Sequence, residues 1–175
     1  MRIRLEKASI RDAETIHRLQ VKSFLPLLRK YQDHGTNPAN EAVKQIVDRL
    51  KQANTDYYFI ILDGVRIGAI RIVYNDETKR ARISPMFIVP EHQGKGYGQE
   101  VIILVEDVVN AEYWELKTIL QEERNCHFYE KMGYRKTGLT QEVDDRMTIV
   151  SYEKKIGVLH VRYGNSRFAA QILTK

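Results

Sequence analysis

Residues 83–98 read Ile-Ser-Pro-Met-Phe-Ile-Val-Pro-Glu-His-Gln-Gly-Lys-Gly-Tyr-Gly, and the fold follows from how this stretch is read. An apolar run of strand character ends at Pro90. A glycine-dense turn, Gln93 to Gly98, follows at once. Val101, Leu104, Val105 and Val108 then recur at three- and four-residue spacing, the period of a helix. Strand, tight glycine loop and helix N-terminus in series make a site for phosphate. Glycine lets the backbone approach closely and adopt positive φ. The loop N–H groups and the positive end of the helix dipole then face an anion. Two familiar phosphate loops are excluded by single residues. A P-loop needs Ser or Thr after its lysine, but Lys95 is followed by Gly96. A dinucleotide fingerprint needs a third glycine where Gln99 stands. What remains is Gln93-x-x-Gly96-x-Gly98.

The 175 residues suit one domain with a single core. A composition of 43% hydrophobic and 29% charged residues is that of a globular chain, neither disordered nor membrane-spanning. No apolar run approaches the roughly 20 residues that cross a bilayer. Met1-Arg2-Ile3-Arg4 carries charge where a secretion signal needs its apolar core, so the expected location is the cytoplasm. The single cysteine, Cys126, excludes an intrachain disulfide and a cysteine-rich zinc site. His92 and His127 have no partner at metal-ligand spacing, and no metal is expected. The net charge of +5 favours an anionic ligand. No Lys/Arg run is long enough to specify nucleic acid, so neither nucleic acid nor membrane is expected as a partner.

Elsewhere the chain alternates between strand and helix. Ile3 to Lys7 reads as a strand, and Ser9 with Asp12 as a capping box. Ala13, Ile16, Leu19 and Phe24 form a helical face that Pro26 should bend or end. Asn40 can cap a second helix bearing Val43, Ile46, Val47 and Leu50. Strands follow at 57–62, 65–74 and 80–89, the first two joined by the hairpin signal Asp63-Gly64. A helix over 96–110, a strand over 114–120, a helix near 125–132, and strands near 134–140 and 146–155 complete the order. This is a mixed α/β (α+β) arrangement of about seven strands and about four helices. Three consecutive hairpin-linked strands exclude a doubly wound fold. Pro85 cannot donate to a ladder, so it marks either a bulge or an edge.

The second informative segment is Gln121-Glu122-Glu123-Arg124-Asn125-Cys126-His127-Phe128-Tyr129-Glu130-Lys131-Met132-Gly133-Tyr134. Asn125 and Tyr129 lie four apart and share a helix face. Phe128 and Met132 share a neighbouring face, and Gly133 ends the helix as a C′ glycine. Together, Gln93-x-x-Gly96-x-Gly98 resembles motif A, and Asn125-x-x-x-Tyr129-Glu130-Lys131-x-Gly133-Tyr134 resembles motif B, of the GNAT acetyltransferases. The resemblance covers about residues 2–155, taken here as a domain over 1–155.

That resemblance implies the GNAT fold and an acetyl-coenzyme A dependent N-acetyltransferase. It implies direct attack of a primary amine on the thioester, with Tyr129 as the acid that protonates the departing thiolate. Asn125 would bond the pantetheine arm. Main-chain groups of Phe87 and Val89, with Ile88 between them, would hold the pantetheine and the thioester carbonyl. The stretch Gln93, Gly94, Lys95, Gly96, Tyr97, Gly98 and Gln99 would hold the pyrophosphate. It also implies a splay at the strand of Pro85 that admits the pantetheine. Family members often carry a glutamate on that strand as general base, but Arg82-Ile83-Ser84-Pro85-Met86 has no acid. Glu122 is the candidate base, with Glu123 second; the alternative is that both are solvated loop charges.

The loop after the first helix often walls the acceptor site in this fold. Asp33 could attract a cationic amine there, with Tyr31 and Phe24 as apolar wall, or Asp33 could cap a turn. Cys126 reads as a small buried hydrophobe, and an acyl-cysteine route is the minor alternative. Residues 156–175 form a basic extension with no acid after Glu153. Leu159, Val161 and Tyr163 alternate in it, a strand signal that can add an edge, pair in a homodimer or stay disordered. The acceptor is expected to be a small amine, or an N-terminal or lysine amine. The alternative from another class is a non-catalytic sensor of acyl-coenzyme A on the same fold.

Overall fold

The computed structural model describes residues 3–156 and 172–173. The strand expected near 159–163 lies outside the described residues. The strands are β1 (Ile3–Lys7), β2 (Thr55–Leu62), β3 (Val65–Asn75), β4 (Arg80–Ile88), β5 (Tyr113–Ile119), β6 (Arg135–Asp144), β7 (Met147–Lys155) and β8 (Ile172–Leu173). The helices are α1 (Ala13–Tyr31), α2 (Val43–Leu50), α3 (Tyr97–Val108) and α4 (Glu123–Lys131). One sheet runs in the order β6-β7-β5-β4-β3-β2-β1-β8. The two-residue β8 lies parallel beside β1.

β2 shows why the core sits where it does. Tyr57, Phe59 and Ile61 pack with Ala13 and Ile16 of α1 and Ile46 of α2. The intervening Tyr58, Ile60 and Leu62 pack with Val101, Leu104 and Val105 of α3. A strand covered on both faces needs no polar alternation, so it reads as one apolar run. Asp63 (φ 47°) and Gly64 (φ 88°) turn it into β3 with both turn residues at positive φ, the hairpin geometry that matches strand twist.

Two expected helix boundaries shift. α1 passes through Pro26 to Tyr31 rather than stopping there. The proline removes the N–H that Lys22's carbonyl would accept, but Lys22 and Pro26 are both exposed, so water can serve that oxygen. Asn40 does not cap α2. Asn37 instead accepts from the Ala39 N–H at 2.9 Å and opens a 3-10 turn, Pro38–Asn40. Asn40 donates from its side chain to the His34 carbonyl at 3.0 Å. α2 begins after Ala42, whose N–H donates to Gln45 Oε1 at 2.6 Å.

β4 decides the site. It is an interior strand, antiparallel to β3 and parallel to β5, so the edge reading of Pro85 is excluded. Its pairing with β3 slips by one residue: Ile72 faces Ile83, while Ile70 faces Met86. The extra residue falls at Ser84-Pro85, joined by a cis peptide. Arg71, buried opposite, donates to the Ser84 carbonyl at 3.1 Å and to Gln52 Oε1 at 2.7 Å. Pairing with β5 ends at Ile83–Leu116, and from Ser84 onward β4 has no partner on that side. β4 and β5 therefore part in the middle of the sheet.

β3 approaches this half of β4 tightly. A Cβ added at Gly68 would overlap the Phe87 carbonyl oxygen and lie 2.9 Å from Ile88 Cα, both backbone atoms that cannot swing away. Gly68→Ala is expected to lower stability by about 2–3 kcal/mol or more, read as a drop in the urea midpoint at unchanged slope. An unchanged midpoint would show that the two strands yield freely.

Candidate active site

A cavity of about 590 Å³ opens where β4 leaves β5. Four segments wall it: the C-terminal half of α1, the second half of β4, the glycine loop, and the first turns of α4. Pro26 and Phe24 contribute from α1, and Phe24 meets Phe87 of β4 edge-on with ring centroids 5.7 Å apart.

The glycine loop joins β4 to α3. Gly94 (φ 74°) and Gly96 (φ 85°) both need the left-handed region. Among the described residues, the N–H groups of Gly94, Lys95, Gly96 and Gly98 have no main-chain acceptor. Gly94, Gly96 and Gly98 line the cavity, as do Tyr97 and Gln99. A row of unpaired amides at a helix N-terminus fits an anion. Gln93 is used differently: its side-chain amide donates to the Ile88 carbonyl at 2.6 Å and ties the loop to the strand. Lys95 donates to the Glu91 carbonyl at 2.9 Å and does not line the cavity.

Arg124 went unremarked in the sequence, yet it lines the cavity, and its guanidinium lies 3.2 Å from where a Cβ on Gly94 would sit. It makes no hydrogen bond or ion pair among the described residues. The available signal was its place in the first turn of α4, where a cation opposes the helix dipole and calls for another reason to be there.

The main-chain groups expected from Phe87 and Val89 point the other way. The Val89 N–H donates to the Ile67 carbonyl at 2.8 Å, and its carbonyl accepts from the His92 N–H at 2.9 Å. Phe87, two residues back, shares that orientation, and its carbonyl lies against Gly68. By alternation, the groups facing the gap are those of Met86 and Ile88, both in the cavity wall. The Ile88 carbonyl is taken by Gln93, which leaves the Ile88 N–H and the Met86 peptide groups toward the gap.

α4 ends in a Schellman turn: the Tyr134 N–H reaches the Tyr129 carbonyl and the Gly133 N–H the Glu130 carbonyl, each at 3.0 Å, with Gly133 at φ 88°. The helix thereby presents Asn125 and Tyr129 to the cavity. The Tyr129 ring is packed by Phe128, Tyr134 and Tyr152 at 4.9, 6.0 and 6.3 Å. Its hydroxyl has no hydrogen-bond partner among the described residues. Burial, and secondarily Cys126, pushes its pKa up to about 12. Cys126 is buried and donates weakly to the Ile119 and Leu120 carbonyls at 3.7 and 3.6 Å, outside the cavity wall, as a packed side chain rather than a nucleophile.

Glu122 lines the cavity, but its carboxylate is engaged. Lys30 Nζ and the Tyr31 hydroxyl both donate to its Oε1 at 2.7 Å. Burial works against the charge, yet these two donors outweigh it and hold the carboxyl below its usual range. That makes it a weaker base than expected. Glu123 is exposed and outside the cavity wall. Asp33 takes the capping alternative and lies outside the cavity wall: its carboxylate accepts from the Gly35 and Thr36 N–H groups at 3.1 and 2.9 Å and from the Thr36 hydroxyl, closing a turn. Among the described residues, no three metal-ligating side chains are assembled, and no helix is long and apolar enough to cross a membrane.

The model of the acetyltransferase (GNAT) family matches residues 16–134. No curated protein matches the chain. Among solved structures, a chimera of the spermidine N-acetyltransferase SpeG from Vibrio cholerae and hSSAT superposes with a TM-score of 0.70 at 17% identity, covering 89% of this chain and 96% of that one. An acetyltransferase from Thermus thermophilus gives 0.66 at 17%, covering 89% and 98%. PaiA N-acetyltransferase from Thermoplasma acidophilum, in complex with coenzyme A, gives 0.64 at 19%, covering 89% and 100%. At these identities the likeness is one of fold.

The raised pKa of Tyr129 has a measurable consequence. Its folded-state value exceeds the unfolded value of about 10, so its contribution to stability is fully present below pH 10 and is lost as pH rises toward 12. Wild type should lose up to about 2 kcal/mol more than Tyr129→Phe between pH 10 and 12 in denaturant titrations. Parallel pH profiles would mean that the hydroxyl is hydrated.

Proposed function

The chain belongs to the acetyltransferase (GNAT) family, and from that membership we propose that it transfers the acetyl group of acetyl-coenzyme A to a primary amine by direct attack. The observation that carries this reading is one cavity in which the unpaired loop amides, the unpaired Arg124 guanidinium and the half-buried Tyr129 side chain meet. The amides and Arg124 suit the pyrophosphate of the donor. The Ile88 N–H and the Met86 peptide groups, left without a β5 partner, suit the amides of its pantetheine arm. Asn125 is a further donor and acceptor on the same wall.

Tyr129 acts on the leaving thiolate. At a pKa of about 12 it holds its proton throughout the neutral range. A thiol near 8.5 is the stronger acid, so complete proton transfer is uphill by about 5 kcal/mol. The hydroxyl therefore works first as a hydrogen-bond donor to the charge as it develops, in a site where burial strengthens such a bond. The attacking amine must be neutral. Glu122 is held ionised by Lys30 and Tyr31, so the amine's proton leaves through water rather than to that carboxylate. The acceptor is a small amine, or an N-terminal or lysine amine, and the reaction is placed in the cytoplasm.

Thiol release from acetyl-coenzyme A over polyamines, amino acids, aminoglycosides and peptides tests the activity. Tight cofactor binding without turnover on any amine would make the chain a sensor instead. Tyr129→Phe should lower kcat about 100-fold with less than a threefold change in coenzyme A affinity; an unchanged kcat would remove its role. Arg124→Met should weaken coenzyme A binding about tenfold by calorimetry and weaken binding of pantetheine, which has no phosphate, little. Equal weakening of both would place Arg124 away from phosphate.

A further inference from the structure

Lys30 and Tyr31 end α1, and Glu122 precedes α4. Glu122 lines the cavity, whereas Tyr31, expected in the acceptor wall, and Lys30 stand outside that lining and reach the site through the Glu122 carboxylate. Among the described residues, Glu122 is the only carboxylate in the cavity wall. Its Oε1 takes both donors, and its Oε2 has no partner among the described residues. Lys30 Nζ also stands 5.0 Å from the centroid of the Tyr31 ring. A carboxylate beside an aromatic face is a built receptor for an ammonium ion, and here the chain's own lysine sits in it.

The receptor is fixed and its occupant is not. The Tyr31 ring is buried, and the Glu122 side chain is only 21% exposed. The Lys30 side chain is 57% exposed, on a long stem with water at hand. An ion pair of this kind is held weakly, and another ammonium can take its place. We infer that Glu122 and Tyr31 form an ammonium subsite that Lys30 fills in competition with the acceptor, so that the acceptor is an amine carrying a second positive charge. The second charge follows from the chemistry. The attacking nitrogen must give up its proton, while this carboxylate holds an ammonium without removing one, so the two nitrogens differ. Lys30 is then a specificity residue, screening out amines that cannot displace it.

The inference rests on the acetyl-transfer reading and is tested apart from it. Thiol release is measured with 1,4-diaminobutane, 1,6-diaminohexane and butylamine on wild type, Lys30→Met and Glu122→Gln. Lys30→Met should raise the diamine-to-monoamine ratio of kcat/KM by about two- to fivefold, the range an exposed ion pair commands. Glu122→Gln should lower it about tenfold or more. A ratio equal in all three proteins, or lowered by Lys30→Met, overturns the subsite. In parallel, coenzyme A-loaded protein is titrated calorimetrically with 1,6-diaminohexane. Tighter binding to Lys30→Met without thiol release on any amine would keep the subsite and remove the transferase, whereas turnover with an unaltered ratio would do the reverse.

Discussion

Beyond Ile83 and Leu116, β4 and β5 stop exchanging hydrogen bonds, and most of what this protein can do depends on that interruption. A parallel pair in the middle of a sheet would ordinarily satisfy every backbone group along its length. Here the peptide groups of Met86 and the N–H of Ile88 are left facing a gap. Backbone groups released from a ladder need another partner, water or a ligand. The fold leaves these groups where an extended, amide-bearing molecule can pair with them, and the loop that follows offers its own unpaired amides directly beyond. The two sets come from one continuous stretch, so the arm and the phosphates of a single donor can be held by consecutive residues.

Support for the gap comes from outside the cavity. Arg71, buried on the α1–α2 side, holds the Ser84 carbonyl with one nitrogen and Gln52 with another. Burial pulls its pKa down, yet an arginine stays charged at any pH of interest, so its bonds to neutral oxygens are charge-assisted. Gln93 fixes the far end of the same segment by bonding Ile88. The irregular part of β4 is thus braced at both ends, consistent with a site on a rigid element rather than on a loop.

The sequence revealed spacing well and parity poorly. The glycine loop, the Asn125–Tyr129 face and the Gly133 terminator were legible because each depends on residue type at a fixed offset. The orientation of the β4 backbone was not, because one added residue exchanges which peptides face which neighbour, and nothing in Ile83-Ser84-Pro85-Met86-Phe87 says where that residue is absorbed. Whether Pro26 ends α1 was not legible, because the cost of a helical proline depends on whether the freed carbonyl meets water, which is a matter of burial. Asn40 misled, and Asp33 stayed open between two roles, because short polar side chains choose between nearby backbone groups, and that choice is made by the turn. Lys30 against Glu122 spans 92 positions and has no local signature at all.

The one-residue slip in β4 is also a matter of arithmetic. Ala81 and Ile83 lie on the α3 side before the slip, and Ile88 lies on the same side after it, although its distance from Ile83 is odd. A strand one residue shorter would place all three on that side by plain alternation. Such a chain would keep these three residues in the core without the irregularity at Ser84-Pro85, where pairing with β5 ends. The surplus residue contributes nothing to the sheet as a sheet. It is the difference between a finished wall and one built with a doorway.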